Sequence, residues 1–311
     1  MKEFKVILII LLLFVGNLNA QTSEKELKKH LKFLASDKMK GRDTGSEEIK
    51  IAATYIENEF VKYGLQPKGT VGYRQEFEAK FKRRTLKDTV RLAENIIGFI
   101  DNGAAQTIVI GAHYDHVGLG AFGARDTTKR GEIHNGADDN ASGIAGVLEL
   151  ARYYATNKVK EEVNFLFIAF SAEELGLLGS YHYVKHPTID LGSVRMMLNM
   201  DMIGRFDKEK GLSLIGFGSS DDYEAIVSKI PTEMKINKGM KSKGGSDQAP
   251  FFESGIPVIF LHTGGHFDYH KPSDDVKLIA FKEMTVILNY AILLVDEIAR
   301  FGPLKFNSTN G

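Results

Sequence analysis

Six residues of this chain, His113, Asp138, Glu173, Glu174, Asp201 and His270, have side chains suited to demanding chemistry, and each falls at or just after the expected end of a strand. Two imidazoles and three carboxylates are the ligand types for two zinc ions, and one carboxylate is left over. Two cations and a free carboxylate suffice to hydrolyse an amide bond near neutral pH. The cations activate water and polarise the carbonyl, and the carboxylate moves the proton.

Each residue taken alone has an ordinary explanation, so the local contexts matter. His113 follows the apolar run Ile108-Val109-Ile110, at a carboxyl strand end where open α/β sheets hold their ligands. Asp115, two residues on, is placed to orient its imidazole. Asp138 and Asp139 precede a helical stretch, where one acid would serve as a cap. Two adjacent acids among small residues exceed that need, and a carboxylate bridging two cations accounts for the excess. Glu173 and Glu174 end the apolar strand 165–170 and offer one metal ligand beside one general base. Asp201 sits at the end of another apolar strand, where a lone carboxylate is costly unless paired or metal-bound. His270 and Tyr269 follow the Gly264-Gly265 turn as a candidate ligand and a candidate substrate contact. Met202, Ile203 and the loop 119–133 are further candidates for the pocket wall, and the glycine-flanked segment 118–131 is expected to cover the site.

The elements that must position these residues follow from periodicity. Helices are expected at 23–35, with Ser23 as N-cap, at 46–63, with Gly64 as the stop, and at 140–154, 174–184, 220–229 and 281–301. Strands are expected at 73–79, 95–100, 107–112, 163–170, 194–200, 212–217 and 257–261. Strands alternating with helices predict an α/β fold, a three-layer sandwich with a central mixed, largely parallel sheet. Residues 21–311 read as one domain. The basic stretch 80–87 reads as a solvated hairpin.

Composition narrows the function classes. Forty basic and forty acidic side chains among 311 residues leave no formal net charge, which excludes the basic footprint of a nucleic-acid binder. Lys2 and Lys5 precede an apolar run at 6–15 and a small-residue end at Ala20, the order of a secretory signal peptide. The run is short for a membrane span, so no stable span is expected once the leader is removed. Export without any cysteine points to a periplasmic or secreted protein of bacterial type. The oligomeric state has no signature in the sequence.

Three segments carry a resemblance: Gly136-Ala137-Asp138-Asp139-Asn140-Ala141-Ser142-Gly143, Ala172-Glu173-Glu174-Leu175-Gly176-Leu177-Leu178-Gly179-Ser180 and Asn199-Met200-Asp201-Met202. With Gly41-Arg42-Asp43-Thr44-Gly45 and Tyr269-His270, they resemble the co-catalytic zinc aminopeptidases of peptidase family M28. No HExxH is present. The resemblance implies a zinc-peptidase (phosphorylase/hydrolase-like) fold and two zinc ions per chain, although such ligands also suit cobalt or manganese. It implies His113 and Asp201 on one ion, Glu174 and His270 on the other, and Asp138 bridging both, followed by Asp139 in a strained peptide link. Glu173 would be the general base, and Asp115 would hold His113. The substrates would be peptides with a free N-terminus, met by Tyr269 and Met202. Gln248 stands where the family often has histidine, a position expected to shape the substrate pocket. Two rivals are a glutaminyl-cyclase-like acyltransferase using one zinc, with ligands like Asp138, Glu174 and His270, and a non-catalytic binding ectodomain. The full ligand set and Glu173 argue against both.

Overall fold

The computed structural model of the chain describes residues 22–82 and 89–309. The expected leader at 1–20 and most of the basic stretch 80–87 lie outside these residues. Three strands make the centre: β4 (Thr107–His113), β5 (Asn164–Phe170) and β6 (Val194–Met200), each buried along its whole length. Continuous apolar runs end up this way when a parallel sheet is covered on both faces. β4 lies between β5 and β6, parallel to both, and β9 (Val258–His262) continues parallel beyond β6. The flanks are mixed. β3 (Val90–Ile100) runs antiparallel to β5, with β1 (Gln66–Pro67) and β2 (Arg74–Lys80) paired to its outer edge. β7 (Leu212–Ile215) is antiparallel to β9, and β8 (Ile236–Gly239) is parallel to β7. The resulting order is β1-β3-β5-β4-β6-β9-β7-β8.

Alternation along the strands assigns the layers. Ile108, Ile110, Phe165, Phe167, Met196 and Leu198 face one side. There they pack with α1 (Glu24–Leu34), α2 (Glu47–Tyr63), α3 (Gly143–Thr156), α5 (Tyr223–Val227) and α7 (Phe281–Phe301). Val109, Leu166, Ile168 and Met197 face the other side, beneath α4 (Leu178–Lys185) and α6 (Gln248–Glu253), which contribute Tyr183 and Phe251. The expected three-layer α/β sandwich is therefore present. Among the described residues no helix is long and apolar enough to cross a membrane. Gly111 is required by packing: a Cβ there would lie 2.5 Å from the Phe170 ring, on the strand that leads to Glu173.

The expected helices 140–154 and 174–184 both begin late, at Gly143 and Leu178. In each case the preceding residues are held in other conformations. Asp139 and Asn140 have non-helical dihedrals, and the peptide between them is cis. The N–H groups of Glu173 and Glu174 donate to the Asp115 carboxylate. The strand expected at 95–100 starts instead at Val90 because β2 pairs with it over seven residues. The helix expected at 220–229 shrinks to Tyr223–Val227. β8 and α6 were not expected.

Candidate metal centre

The carboxyl ends of β4, β5 and β6 lie side by side, and the residues that follow them converge. His113 ends β4, and its Nδ1 is 3.1 Å from the Asp115 carbonyl and 3.7 Å from the Asp115 Oδ1. That leaves Nε2 facing inward, 3.4 Å from Asp139 Oδ1 and 3.5 Å from Asp201 Oδ2. On the other side of Asp139, its Oδ2 lies 2.9 Å from His270 Nε2, which is also 3.1 Å from Glu174 Oε1. His270 Nδ1 is 2.8 Å from the Gly123 carbonyl, so the glycine-flanked loop orients this ring. Phe122 anchors that loop in a small core with Phe77, Phe81, Ala172 and Leu175.

Two donor sets result. His113, Asp139 and Asp201 form one, and His116, Asp139, Glu174 and His270 form the other. The residues fit metal ions. Ligand atoms about 2.05 Å from a tetrahedral zinc stand roughly 3.3 Å apart, close to the separations around His113. Imidazole and carboxylate are the donors zinc prefers among those available in a cysteine-free chain.

The bridging assignment needs correction. Asp138 is fully buried, but its Oδ1 accepts the Gly204 N–H at 2.7 Å and its Oδ2 lies 3.1 Å from His266 Nε2. It belongs to neither donor set. Asp139 spans both, and the unusual peptide follows Asp139 instead of joining Asp138 to it. The cause is the turn: Asp274 accepts the N–H groups of Asp138 and Asp139, fixing the backbone so that the two side chains diverge. Sequence reasoning also gave His116 no role. Its Nδ1 is 2.9 Å from Glu174 Oε1, and its buried Nε2 has no partner. The one available signal was its place three residues after His113 on the same strand end.

The remaining expected residues fall as follows. Asp115 is fully buried, and its two oxygens accept the N–H of Glu173 at 3.1 Å, the N–H of Glu174 at 3.3 Å and the Thr44 hydroxyl at 3.0 Å. It therefore ties the His113 loop to both glutamates. Glu173 belongs to neither donor set. Tyr269 stacks on the His270 ring at 3.9 Å between centroids. Met202 is buried, and its backbone bonds to Asn140 and Thr263. Gln248 is also buried: its amide donates to the Gly244 carbonyl at 2.6 Å and accepts from Asn199 at 3.2 Å, which knits its loop to β6.

Arg42, only 1% exposed, extends into this assembly from the loop between α1 and α2. Its guanidinium donates to the carbonyls of Leu34, Tyr114, Asn135 and Gly136, holding together the segments that carry His113 and Asp139. Electrostatics follow from crowding. Burial raises Glu173 well above the usual carboxylate range, against the opposing charge of His113. Burial would lower His270, but hydrogen bonds to Asp139 and Glu174 push it up to about 11. Burial would raise Glu174, and its bonds to His116 and His270 bring it below the usual range instead. Carboxylates and imidazoles this close demand either protons or a cation.

Residues 95–295 match the model of peptidase family M28. Aminopeptidase YwaD of Bacillus subtilis is 30% identical over 70% of this chain and 47% of its own length. A probable leucine aminopeptidase of Trichophyton verrucosum is 30% identical over 78% of this chain and 62% of its own. The chain thus spans about half to three-fifths of these curated relatives. Among solved structures, LapA aminopeptidase of Legionella pneumophila superposes with a TM-score of 0.67 at 23% identity, covering 89% of this chain and 72% of that one. Porphyromonas gingivalis glutaminyl cyclase gives a TM-score of 0.72 at 18% identity, covering 89% of this chain and 99% of that one.

Proposed function

Because the chain belongs to peptidase family M28, we propose that it is an aminopeptidase that removes N-terminal residues from peptides and works with two zinc ions. The observation that carries this reading is Asp139, one oxygen toward His113 and the other toward His270, with Glu173 free of both donor sets. One set of ligands would be His113, Asp139 and Asp201. The other would be Asp139, Glu174 and His270, with His116 as an orienting neighbour of Glu174. Zinc, when bound, polarises the scissile carbonyl and makes the attacking water more acidic. Glu173 takes the proton from that water and passes it to the leaving amine. Its place outside both donor sets leaves its carboxylate available for that role. Asp115 keeps the His113 ring oriented and holds the Glu173 backbone in place. Tyr269 braces His270 and offers a phenol to the substrate. The aminopeptidase names of the relatives support a substrate with a free amino terminus.

The test is zinc content and turnover on one sample, using a panel of aminoacyl-p-nitroanilides beside their N-blocked analogues. Two zinc per chain with cleavage of the unblocked substrates alone is expected. Glu173→Gln should keep its zinc and lose roughly 100- to 10,000-fold in kcat. Unchanged turnover in that variant would remove Glu173 as the base. One zinc, no hydrolysis and cyclisation of N-terminal glutamine would select the acyltransferase reading instead. We also propose export, on the charge and apolar order of residues 1–20. Exported protein should then begin at Gln21 on N-terminal sequencing.

A further inference from the structure

We propose that the mouth of the metal centre carries a cationic rim that selects peptides bearing a carboxylate just beyond the bond to be cut. This rests on the aminopeptidase reading above and names a substrate class for it. Beside the donor sets lies an open concavity of about 610 Å³ whose walls include Arg125, Lys210, His266, Tyr269 and Lys271. It adjoins the centre through two direct contacts: Tyr269 stacks on His270, and His266 reaches Asp138. An enzyme that seats the first residue of a peptide against the metals leaves the following residues in such a mouth.

The charge of this concavity is one-sided. Among the described residues, Arg125, Lys210 and Lys271 form no ion pair. The Arg125 guanidinium lies 5.2 Å from the centre of the Tyr269 ring, and its backbone N–H donates to the His270 carbonyl. The Lys271 ammonium lies 3.2 Å from the centre of the Phe267 ring, and Lys210 donates to the Gly265 carbonyl at 3.3 Å. These contacts hold the three cations at the rim without neutralising them. Two acids stand nearby without forming an ion pair with the three cations: Asp268 Oδ2 lies 3.9 Å from His266 Nδ1, and the exposed Asp126 is within electrostatic reach of Lys271. Asp126 accepts from the N–H and hydroxyl of Thr128, and Asp268 pairs with Arg205 and accepts from Ser273. A chain with no net charge thus gathers three cations along the mouth proposed to receive the leaving portion of the substrate.

The experiment compares kcat/KM of the full-length enzyme for leucyl-glutamate amide, leucyl-glutamine amide and leucyl-lysine amide. At low ionic strength the glutamate substrate should exceed the lysine one by roughly tenfold, with the difference in KM, and the ratio should fall toward one in 0.5 M salt. The double variant Lys210→Glu with Lys271→Glu should invert the ratio. Equal kcat/KM for the three substrates in the parent enzyme would overturn the rim while leaving the hydrolase reading intact, as would an unchanged ratio in the variant. Failure to hydrolyse any of the three would overturn the hydrolase reading and the rim with it.

Discussion

Asp138 and Asp139 are neighbours of the same chemical type, and the fold gives them opposite duties. Asp138 holds the Gly204 N–H and His266, and Asp139 faces two imidazoles from different directions. Asp139→Asn should cost more than a hundredfold in zinc affinity. Asp138→Asn, which disturbs only the surroundings, should cost about tenfold. Competition with a chromogenic chelator measures both, and equal losses would sink the distinction. Nothing in Asp138-Asp139 as a sequence could separate them, because their division is set by Asp274, 135 residues away along the chain from Asp139. His113, Glu174, Asp201 and His270 were legible because each follows an apolar run whose end is easy to find. Arg42 was legible only as part of a polar loop. Its four carbonyl partners come from residues scattered between 34 and 136. Arg42→Lys leaves several of those carbonyls without a donor inside the protein, since an ammonium lacks the fork that reaches them. We expect about 3 kcal/mol of lost stability, read from the midpoint of urea unfolding at unchanged slope. A midpoint equal to the parent's would show that water replaces the guanidinium.

At the scale of elements, regular periodicity predicts the long helices and buried strands, and short or interrupted elements carry no such signal. The closing helix α7 runs from Phe281 to Phe301 as its apolar stripe predicts, and Ser23 and Ser46 cap α1 and α2 with their side chains. β8 went unseen because it is a four-residue edge strand without apolar alternation, and α6 because six residues containing Pro250 carry no periodic signal. The helices expected from Asn140 and Glu174 begin later, at Gly143 and Leu178, because the same residues that favour a helix start are held by other contacts at the candidate metal centre. The packing of α7 against α3 contains a testable cost. Asp296 of α7 accepts the Tyr154 hydroxyl of α3 at 3.1 Å, and burial pushes its carboxyl from 3.8 up to about 6. A raised folded-state value means the protonated form is preferred on folding. This contribution is full below about pH 4 and is lost as pH rises through 6. Above that the ionised carboxylate costs up to about 3 kcal/mol. Asp296→Asn keeps an acceptor for Tyr154 and removes the ionisation. It should raise Tm at pH 8 and leave it nearly unchanged at pH 4. A gain of the same size at both pH values would mean that the charge is not the cause.

For the whole molecule, the decisive fact is that the donors arise from five separated segments. His113 ends β4 and His116 follows it, Asp139 precedes α3, Glu174 follows β5, Asp201 follows β6, and His270 lies between β9 and α7. No single element, and no pair of elements consecutive along the chain, supplies either donor set, so an ion would be fully ligated only when the centre of the sheet is assembled. Metal binding is then coupled to global folding instead of to one loop. At a thousandfold excess over its dissociation constant, each ion adds about 4 kcal/mol. A chain of this size gains roughly 2 °C per kcal/mol, so the two zinc ions proposed above should raise Tm by about 15 °C over the chelated protein. The count of ions can be read from the same measurement. Asp201 touches only the set with His113 and Asp139. Asp201→Asn should therefore lose about half of the zinc-dependent rise and retain the half supplied through Glu174 and His270. A rise undiminished in Asp201→Asn would mean that one ion does all the stabilising, and the two-zinc centre would have to be abandoned. A rise abolished outright would mean that the two donor sets fill as one cooperative unit through Asp139, and a titration of Tm against zinc in the parent protein would then show a single steep step in place of two.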